Sequence, residues 1–222
     1  MPGRPEKTDK VHHPLFARFY QRFAAAAMEK GEAEFRRELL EGVAGRVIEV
    51  GAGHGLNFPL YPPTVTEVVA VEPESILRRA AERAALNAPV PVTVIDGVAD
   101  ALPFEDASFD VGVASLVLCS VPDQRSALSE LHRVIRPDGE LRFYEHVVAQ
   151  QPRFARAQRL ADPVWTRLAG GCHIDRDTAA AIEARGFVIE RIRRFSFSIS
   201  LLDRLASPQI VGVAHLTASQ AP

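Results

Sequence analysis

Arg46-Val-Ile-Glu-Val-Gly-Ala-Gly-His-Gly-Leu56 begins with a short buried strand, Val47 to Val50, and continues with glycines at 51, 53 and 55. Glycine has no Cβ, so it takes positive φ readily and lets a ligand approach the backbone closely. A strand, a glycine-rich turn and then a helix open a nucleotide-type α/β domain, whose ligand sits over the turn at the carboxyl end of the strand. The dinucleotide pattern G-x-G-x-x-G fails, because its third glycine falls on Leu56. Glu49, just before the loop, would repel a pyrophosphate and tolerate a cationic ligand. A strand–turn–helix junction that binds nothing is the alternative.

Downstream, Glu67 to Val71 reads as a second strand ending at Glu72-Pro73. Glu72 lies 21 positions after Gly51. An acidic residue at that spacing is placed to accept from two ribose hydroxyls; a helix cap or a solvated charge is the competing reading. Tyr61-Pro-Pro63 ends a first short helix, because proline prevents its continuation. A helix follows over 74–86, strands over 90–95 and 109–115, a helix over 123–135 and a strand over 140–146. In Arg136-Pro-Asp-Gly139 the proline presets φ and the glycine supplies the permissive turn position. This alternation predicts a parallel sheet with helices on both faces.

A further helix is expected over 152–170, broken at Asp162-Pro163. Asp175 is expected to cap a helix of 176–185 ended by Gly186, with final strands at 187–195 and 209–216. Residues 1–13 read as a mobile tail. Leu15, Phe16, Phe19 and Phe23 share one helical face, so 14–45 reads as a helical cap that breaks near Gly31. It packs on the sheet, or forms a lid with Tyr20 facing the site.

Composition narrows the function classes. With 222 residues and 47% hydrophobic content, the chain buries a core as one domain, with room for an insertion. A net charge of −2 argues against nucleic-acid binding, which requires a basic face. Two cysteines, Cys119 and Cys172, make no disulfide framework and fit a reducing cytoplasm. No apolar run has the length of a membrane span and no secretory leader is visible, so stable membrane insertion is not expected. Only Lys7, Lys10 and Lys30 are lysines, all before the α/β core, which disfavours Schiff-base, P-loop and Tyr-x-x-x-Lys chemistry. Oligomeric state is not readable from the sequence.

Val47-Ile-Glu-Val-Gly-Ala-Gly, Val71-Glu-Pro, Ala99-Asp-Ala-Leu-Pro-Phe, Ser108-Phe-Asp and Arg133-Val-Ile-Arg-Pro-Asp-Gly recur in order across 46–146. In type and spacing they resemble the class I S-adenosylmethionine (SAM) methyltransferases. The resemblance implies an α/β fold over 46–222: a Rossmann-like seven-stranded sheet, mostly parallel with the last strand antiparallel, flanked by helices and carrying the N-terminal helical cap. Leu116-Val-Leu-Cys-Ser-Val, Tyr144-Glu-His-Val, Asp162-Pro-Val-Trp, Gly171-Cys and Arg176-Asp narrow the match. With Asn57-Phe and Tyr61-Pro-Pro, they resemble the methyltransferase-like branch whose mammalian members are thiol S-methyltransferases. Those relatives carry an N-terminal membrane anchor; this chain is expected to be a soluble, bacterial-type cousin.

The resemblance further implies a cofactor, SAM, and roles for particular residues. The backbone of Gly51, Ala52 and Gly53 passes under its amino-acid end, and Glu49 helps fix its ammonium. Glu72 holds the ribose with Pro73 beside the adenine. Gly97, Val98 and Ala99 border the adenine, and Ser115 and Leu116 lie near the methyl group. Many relatives carry Asp where Val98 stands, so Asp100 or Asp96 is the candidate for the exocyclic amine. The 150–175 helical insertion lies near the acceptor.

Methyl transfer from a sulfonium is an in-line displacement that depends on positioning and desolvation. His146, at the end of the fifth strand, suits general-base work near neutral pH; a structural hydrogen bond is its alternative. Tyr20, Cys119 and His173 are candidates for the acceptor pocket, against a small buried residue for Cys119 and a solvated role for His173. No metal site is expected, since His12-His13 sits in the tail without an acidic partner. The acceptor is a small molecule, with a thiol as one candidate. An O- or N-acceptor on a quinone, lipid head group or secondary metabolite is the alternative, and a SAM-binding module without turnover is the reading from another class.

Overall fold

The computed structural model describes residues 23–201 and 203–216. Seven strands form one sheet: β1 (Gly45–Val50), β2 (Val65–Val71), β3 (Val92–Ile95), β4 (Phe109–Ser115), β5 (Ile135–His146), β6 (Phe187–Ser196) and β7 (Pro208–Leu216). Their order is β3-β2-β1-β4-β5-β7-β6. The pairings from β3 to β5 are parallel, and β7 is antiparallel to both neighbours. The strand order reverses between β1 and β4. In such sheets the crevice at the carboxyl ends beside this switch point is where ligands bind.

Period-two alternation puts the strand residues into two cores, one on each face. Ile48, Val50, Val69, Val71 and Phe143 belong to one, with Leu128 and Leu131 of α3 (Gln124–Val134). Val47, Val68, Ala70, Val113 and Tyr144 belong to the other, with Leu39 and Leu40 of α1 (Ala33–Leu40). The same alternation puts Glu49 on the Val47 face beneath α1, and Glu145 on the Phe143 face. The site depends on both placements. The remaining helices are α2 (Ser75–Ala85), α4 (Pro152–Leu168) and α5 (Thr178–Glu183).

Several local expectations are corrected. No α-helix follows the glycine loop: turns lead to a single 3-10 turn, Phe58–Leu60, which ends at Tyr61. Helix α4 runs through Pro163. Proline removes one N–H and so frees the carbonyl of Arg159, but both residues lie on the exposed face, where the carbonyl is open to solvent. The cap of α5 is Asp177, which accepts from Ala180 N, because Arg176 is drawn away to the carbonyls of Leu118 and Val121. In the 136–139 turn it is Asp138 that has positive φ, 64°. Gly139 is needed for space, since a Cβ there would lie 2.6 Å from Ile135 Cγ2.

The expected break near Gly31 is a kink, with φ 117° inside a wide helical turn, Met28–Glu32. Tyr20, Phe16, Phe19 and the His12-His13 pair lie outside the described residues. No described helix is long and apolar enough to cross a membrane.

Candidate active site

The loop after β1 has the backbone that its glycines anticipate. Gly51, Gly53 and Gly55 have φ of 64°, 59° and 85°. A Cβ on Gly51 would lie 2.2 Å from Val117 Cγ2, so the β1 loop and the segment after β4 can approach only through glycine. Gly51 N donates to Val71 O at 2.8 Å, tying the loop to the end of β2. Gly53 N donates to Glu72 Oε2 at 2.8 Å, and Glu74 N donates to Oε1 at 2.9 Å. Burial pushes Glu72 up to about 7, against the pull of these two N–H groups. Each carboxylate oxygen keeps a lone pair for a ligand hydroxyl.

Glu49 lies beneath the loop and is buried. It accepts from Asn57 Nδ2 at 2.8 Å and from the Tyr61 hydroxyl at 2.7 Å. Burial raises it to about 7, while Tyr61, Asn57 and the Arg36 guanidinium draw it back down. Arg36 comes from α1, where it is buried, and holds the network together. It donates to Glu32 Oε1 at 2.7 Å, to Asn57 Oδ1 at 2.9 Å and to Ser115 Oγ at 3.1 Å. Glu49 therefore braces the loop through protein partners. The sequence reading missed Arg36, because arginines spaced along a helix look alike until tertiary packing selects one.

A second carboxylate was also missed as a functional group. Glu145, next to the expected His146, is fully buried and accepts three consecutive N–H groups after β4. These come from Val117 at 3.1 Å, Leu118 at 2.9 Å and Cys119 at 3.0 Å. Leu116 turns the chain there at φ 56°. Burial, and then the nearby Cys119, hold Glu145 well above the usual carboxylate range, while the three N–H groups oppose them.

One cavity of about 440 Å³ opens between these segments. Gly51, Gly53, Glu72, Pro73, Val98, Ala99, Ser115, Leu116 and His146 all line it, as their sequence positions anticipate. So do Asp100, Trp165 and Cys172. Asp96 instead pairs with Arg78 at 3.1 Å, which leaves Asp100 as the carboxylate in the wall near Val98. Glu49 and Ala52 border a small adjoining cleft with Arg36 and His54. Gly97 is outside the wall and packs against Val71.

Two expected acceptor-pocket residues are displaced. Cys119 is fully buried behind the wall. His173 Nδ1 is 2.7 Å from Asp162 Oδ2, an ion pair when the ring is protonated that turns the imidazole toward α4. The fold instead brings Cys119, Cys172 and His146 together. The two sulfurs are 3.6 Å apart, and His146 Nδ1 is 3.7 Å from Cys119 and 3.5 Å from Cys172. The Cys172 thiol, followed by burial, pushes the Cys119 thiol far up. The Trp165 indole N–H has no partner among the described residues, which leaves a donor for a ligand.

Volume, glycine backbone and charge together test the fit of a SAM-sized, positively charged molecule. The volume lies in the range of small-molecule sites. Glu32, Glu72, Glu74, Asp100 and Asp203 make the polar part of the wall acidic, which suits a sulfonium and an ammonium and opposes phosphates. The residues present fit the group.

Comparison with known proteins agrees with this geometry. The family model "Methyltransferase domain" matches residues 48–143. Rat thiol S-methyltransferase TMT1B is 35% identical over 185 residues, covering 78% of this chain and 72% of that protein. Human thiol S-methyltransferase TMT1A is 32% identical over 213 residues, covering 90% and 85%. The chain belongs to the class I SAM-dependent methyltransferase family. Among solved structures, the YcgJ protein of Bacillus subtilis superposes on this methyltransferase with a TM-score of 0.66. That match has 19% identity and covers 82% of this chain and 96% of the other, a likeness of fold.

Proposed function

We propose that this methyltransferase takes its methyl group from SAM and passes it to a small thiol. The observation that carries the reading is a single cavity lined both by Gly51, Gly53 and Glu72 and by His146 and Cys172. Bound there, SAM supplies an electrophilic methyl group on a positively charged sulfur. The Gly51–Gly53 backbone admits its amino-acid end, and Glu72 accepts from the ribose hydroxyls. Val98 and Ala99 flank the adenine, with Asp100 toward its exocyclic amine. The apolar lining of Leu116, Val117, Trp165 and Leu168 receives the acceptor and excludes water.

A thiol reacts as thiolate, with an ordinary pKa of about 8.5, so modest help at neutral pH is enough. His146 is placed to give it. Burial depresses the imidazole, but contact with Cys119 and the charges of Glu145 and Glu32 outweigh it, and the net direction is upward. Protonated, the imidazole would favour the thiolate; neutral, it would accept the thiol proton. The kinship with proteins named thiol S-methyltransferases supports the same acceptor class.

Incubation with SAM and a panel of alkyl thiols, hydrogen sulfide, a quinol and an ethanolamine phospholipid tests the reading by mass spectrometry. S-methyl products with equimolar S-adenosylhomocysteine are expected. Methylation of the quinol or the amine, and of no thiol, would overturn the acceptor. Calorimetric binding of NAD without SAM would overturn the cofactor. His146→Ala is expected to lower kcat with a thiol on the order of tenfold, the low end for proton-transfer assistance because thiols ionise readily. Its SAM affinity should stay within about twofold, since Glu72 and the glycine loop remain. An unchanged kcat would make His146 structural.

A further inference from the structure

We propose that Cys119, Cys172 and His146 bind a zinc ion, whose fourth coordination position is filled from the cavity by the sulfur of the acceptor thiol. The three residues are far apart in the chain, and their donor atoms all lie within 4.8 Å of one another. Tetrahedral zinc has Zn–S of about 2.3 Å and Zn–N of about 2.0–2.1 Å. Those lengths set the edges of a tetrahedral face at about 3.8 Å for S···S and about 3.5 Å for S···N. The observed edges are 3.6 Å for the sulfurs and 3.7 and 3.5 Å for His146 Nδ1 with Cys119 and Cys172. The face thus matches to within about 0.2 Å, the tolerance expected of a preformed site.

The loops that present the cysteines are fixed by other bonds. Cys119 N donates to Glu145, and the Cys119 carbonyl accepts from His173 N at 2.8 Å. Asp162 accepts from Ile174 N at 2.8 Å and pairs with His173, and so holds the segment after Cys172. The Cys172 loop approaches the Cys119 loop so closely that a Cβ on Gly171 would lie 3.0 Å from Ser120 O. A disulfide needs its sulfurs at about 2.05 Å, so the 3.6 Å separation would have to close by about 1.5 Å. The present spacing suits an ion between the groups better than a bond. Two thiolates and an imidazole select zinc over magnesium or calcium.

Three protein ligands with an open fourth position are the arrangement of catalytic rather than structural zinc. His146 and Cys172 line the cavity, so an acceptor there reaches the open position. Binding of zinc releases the two cysteine protons. The acceptor thiol then displaces water from zinc and loses its proton to solvent. The bound thiolate attacks the methyl carbon of SAM and forms the new S–CH3 bond. The C–S bond of the sulfonium breaks, with its electron pair going to sulfur to give S-adenosylhomocysteine, and the neutral thioether leaves zinc. In this form His146 acts as a ligand, and the metal takes over the thiolate-stabilising role given to the imidazole above. The activating role rests on the thiol reading; metal binding itself does not.

The full-length protein, reduced and reconstituted with Zn²⁺ and then gel-filtered, should carry about one zinc per chain by elemental analysis. Substitution by Co²⁺ should give a thiolate charge-transfer band and the strong visible absorption of a tetrahedral ion. Cys172→Ser and Cys119→Ser, with folding checked by circular dichroism, should lose the zinc and the band. The Co²⁺ spectrum of the wild type decides the matter even if a variant fails to fold. Zinc retained equally by both folded variants, a Co²⁺ spectrum without thiolate absorption, or a Cys119–Cys172 disulfide in the air-exposed protein with no metal uptake would each overturn the site. Metal uptake with no thiol methylated would sink the thiol reading and leave the site standing. Equal thiol turnover by the metal-free and zinc-loaded protein would sink the activating role and leave the thiol reading standing.

Discussion

Glu145→Ala is expected to destabilise the protein by about 3 kcal/mol or more. The carboxyl accepts the N–H groups of Val117, Leu118 and Cys119, and all of this lies beneath the end of β4, where Glu145 itself has no solvent exposure. A buried donor left without a partner costs about 1–3 kcal/mol, and alanine orphans three. Relief of the desolvated carboxyl offsets part of that, so the lower end of the sum is the expected value. For a chain of this size the shift in Tm is roughly 6–12 °C.

Glu145→Gln should cost about half as much. Its amide oxygen still accepts from Val117 and Leu118, and only the NH2 group faces the Cys119 donor. A graded series in thermal melts, alanine worse than glutamine, is the expected outcome. Melts within about 2 °C of the parent for alanine would show that the turn after β4 is held by other contacts. The same variant should weaken ligand binding, because this turn carries Leu116 and Val117 of the cavity wall.

Glu72→Ala should weaken SAM binding by about 1–3 kcal/mol, or roughly 5- to 150-fold, through loss of charged hydrogen bonds to the ribose. Its effect on stability should be smaller than that of Glu145→Ala, since the N–H groups it orphans, of Gly53 and Glu74, are beside a cavity that admits water. The same residue sets a pH dependence. Burial raises Glu72 from 4.5 to about 7. Ligand hydroxyls donate to the carboxylate and not to its protonated form, so affinity falls as pH drops through 7. Between pH 8 and pH 6 the ionised fraction goes from about 91% to about 9%, and the dissociation constant should rise about tenfold.

Stability of the ligand-free protein runs the other way. A carboxyl whose folded-state value is raised contributes stability that is complete below 4.5 and lost as pH rises through about 7. Glu49 acts in the same direction, so Glu72→Gln is the variant that isolates the effect on binding. Calorimetry from pH 6 to 8 should show a sloping profile for the parent and a flatter one for Glu72→Gln. Parallel profiles would remove Glu72 from the ligand.

Much of the architecture was legible because its signals are local. The apolar runs within 47–50 and 67–71 and the glycines at 51, 53 and 55 act through their own backbone, and the strands, the loop and α3 appear where the residues place them. Glu72, singled out by its spacing to the loop, lines the cavity. Errors arose where a neighbour outbids a local rule. Pro163 sits inside a helix because its freed carbonyl faces water, Arg176 is pulled from a helix by the carbonyls of Leu118 and Val121, and a single 3-10 turn replaces the expected helix after the loop.

The sequence by itself determined the strand alternation, the glycine loop, the acidic residue at the tip of β2 and hence the methyltransferase class. Each of these follows from φ/ψ preference or from side-chain period along a few consecutive residues. Only the tertiary structure decided which arginine of α1 supports Glu49, which carboxylate caps the turn after β4, and that two cysteines and a histidine share one point. Those are contacts between residues 21 to 53 positions apart. Their energy comes from burial and from paired donors and acceptors that exist only once α1, β5 and the Cys172 loop have packed around the sheet.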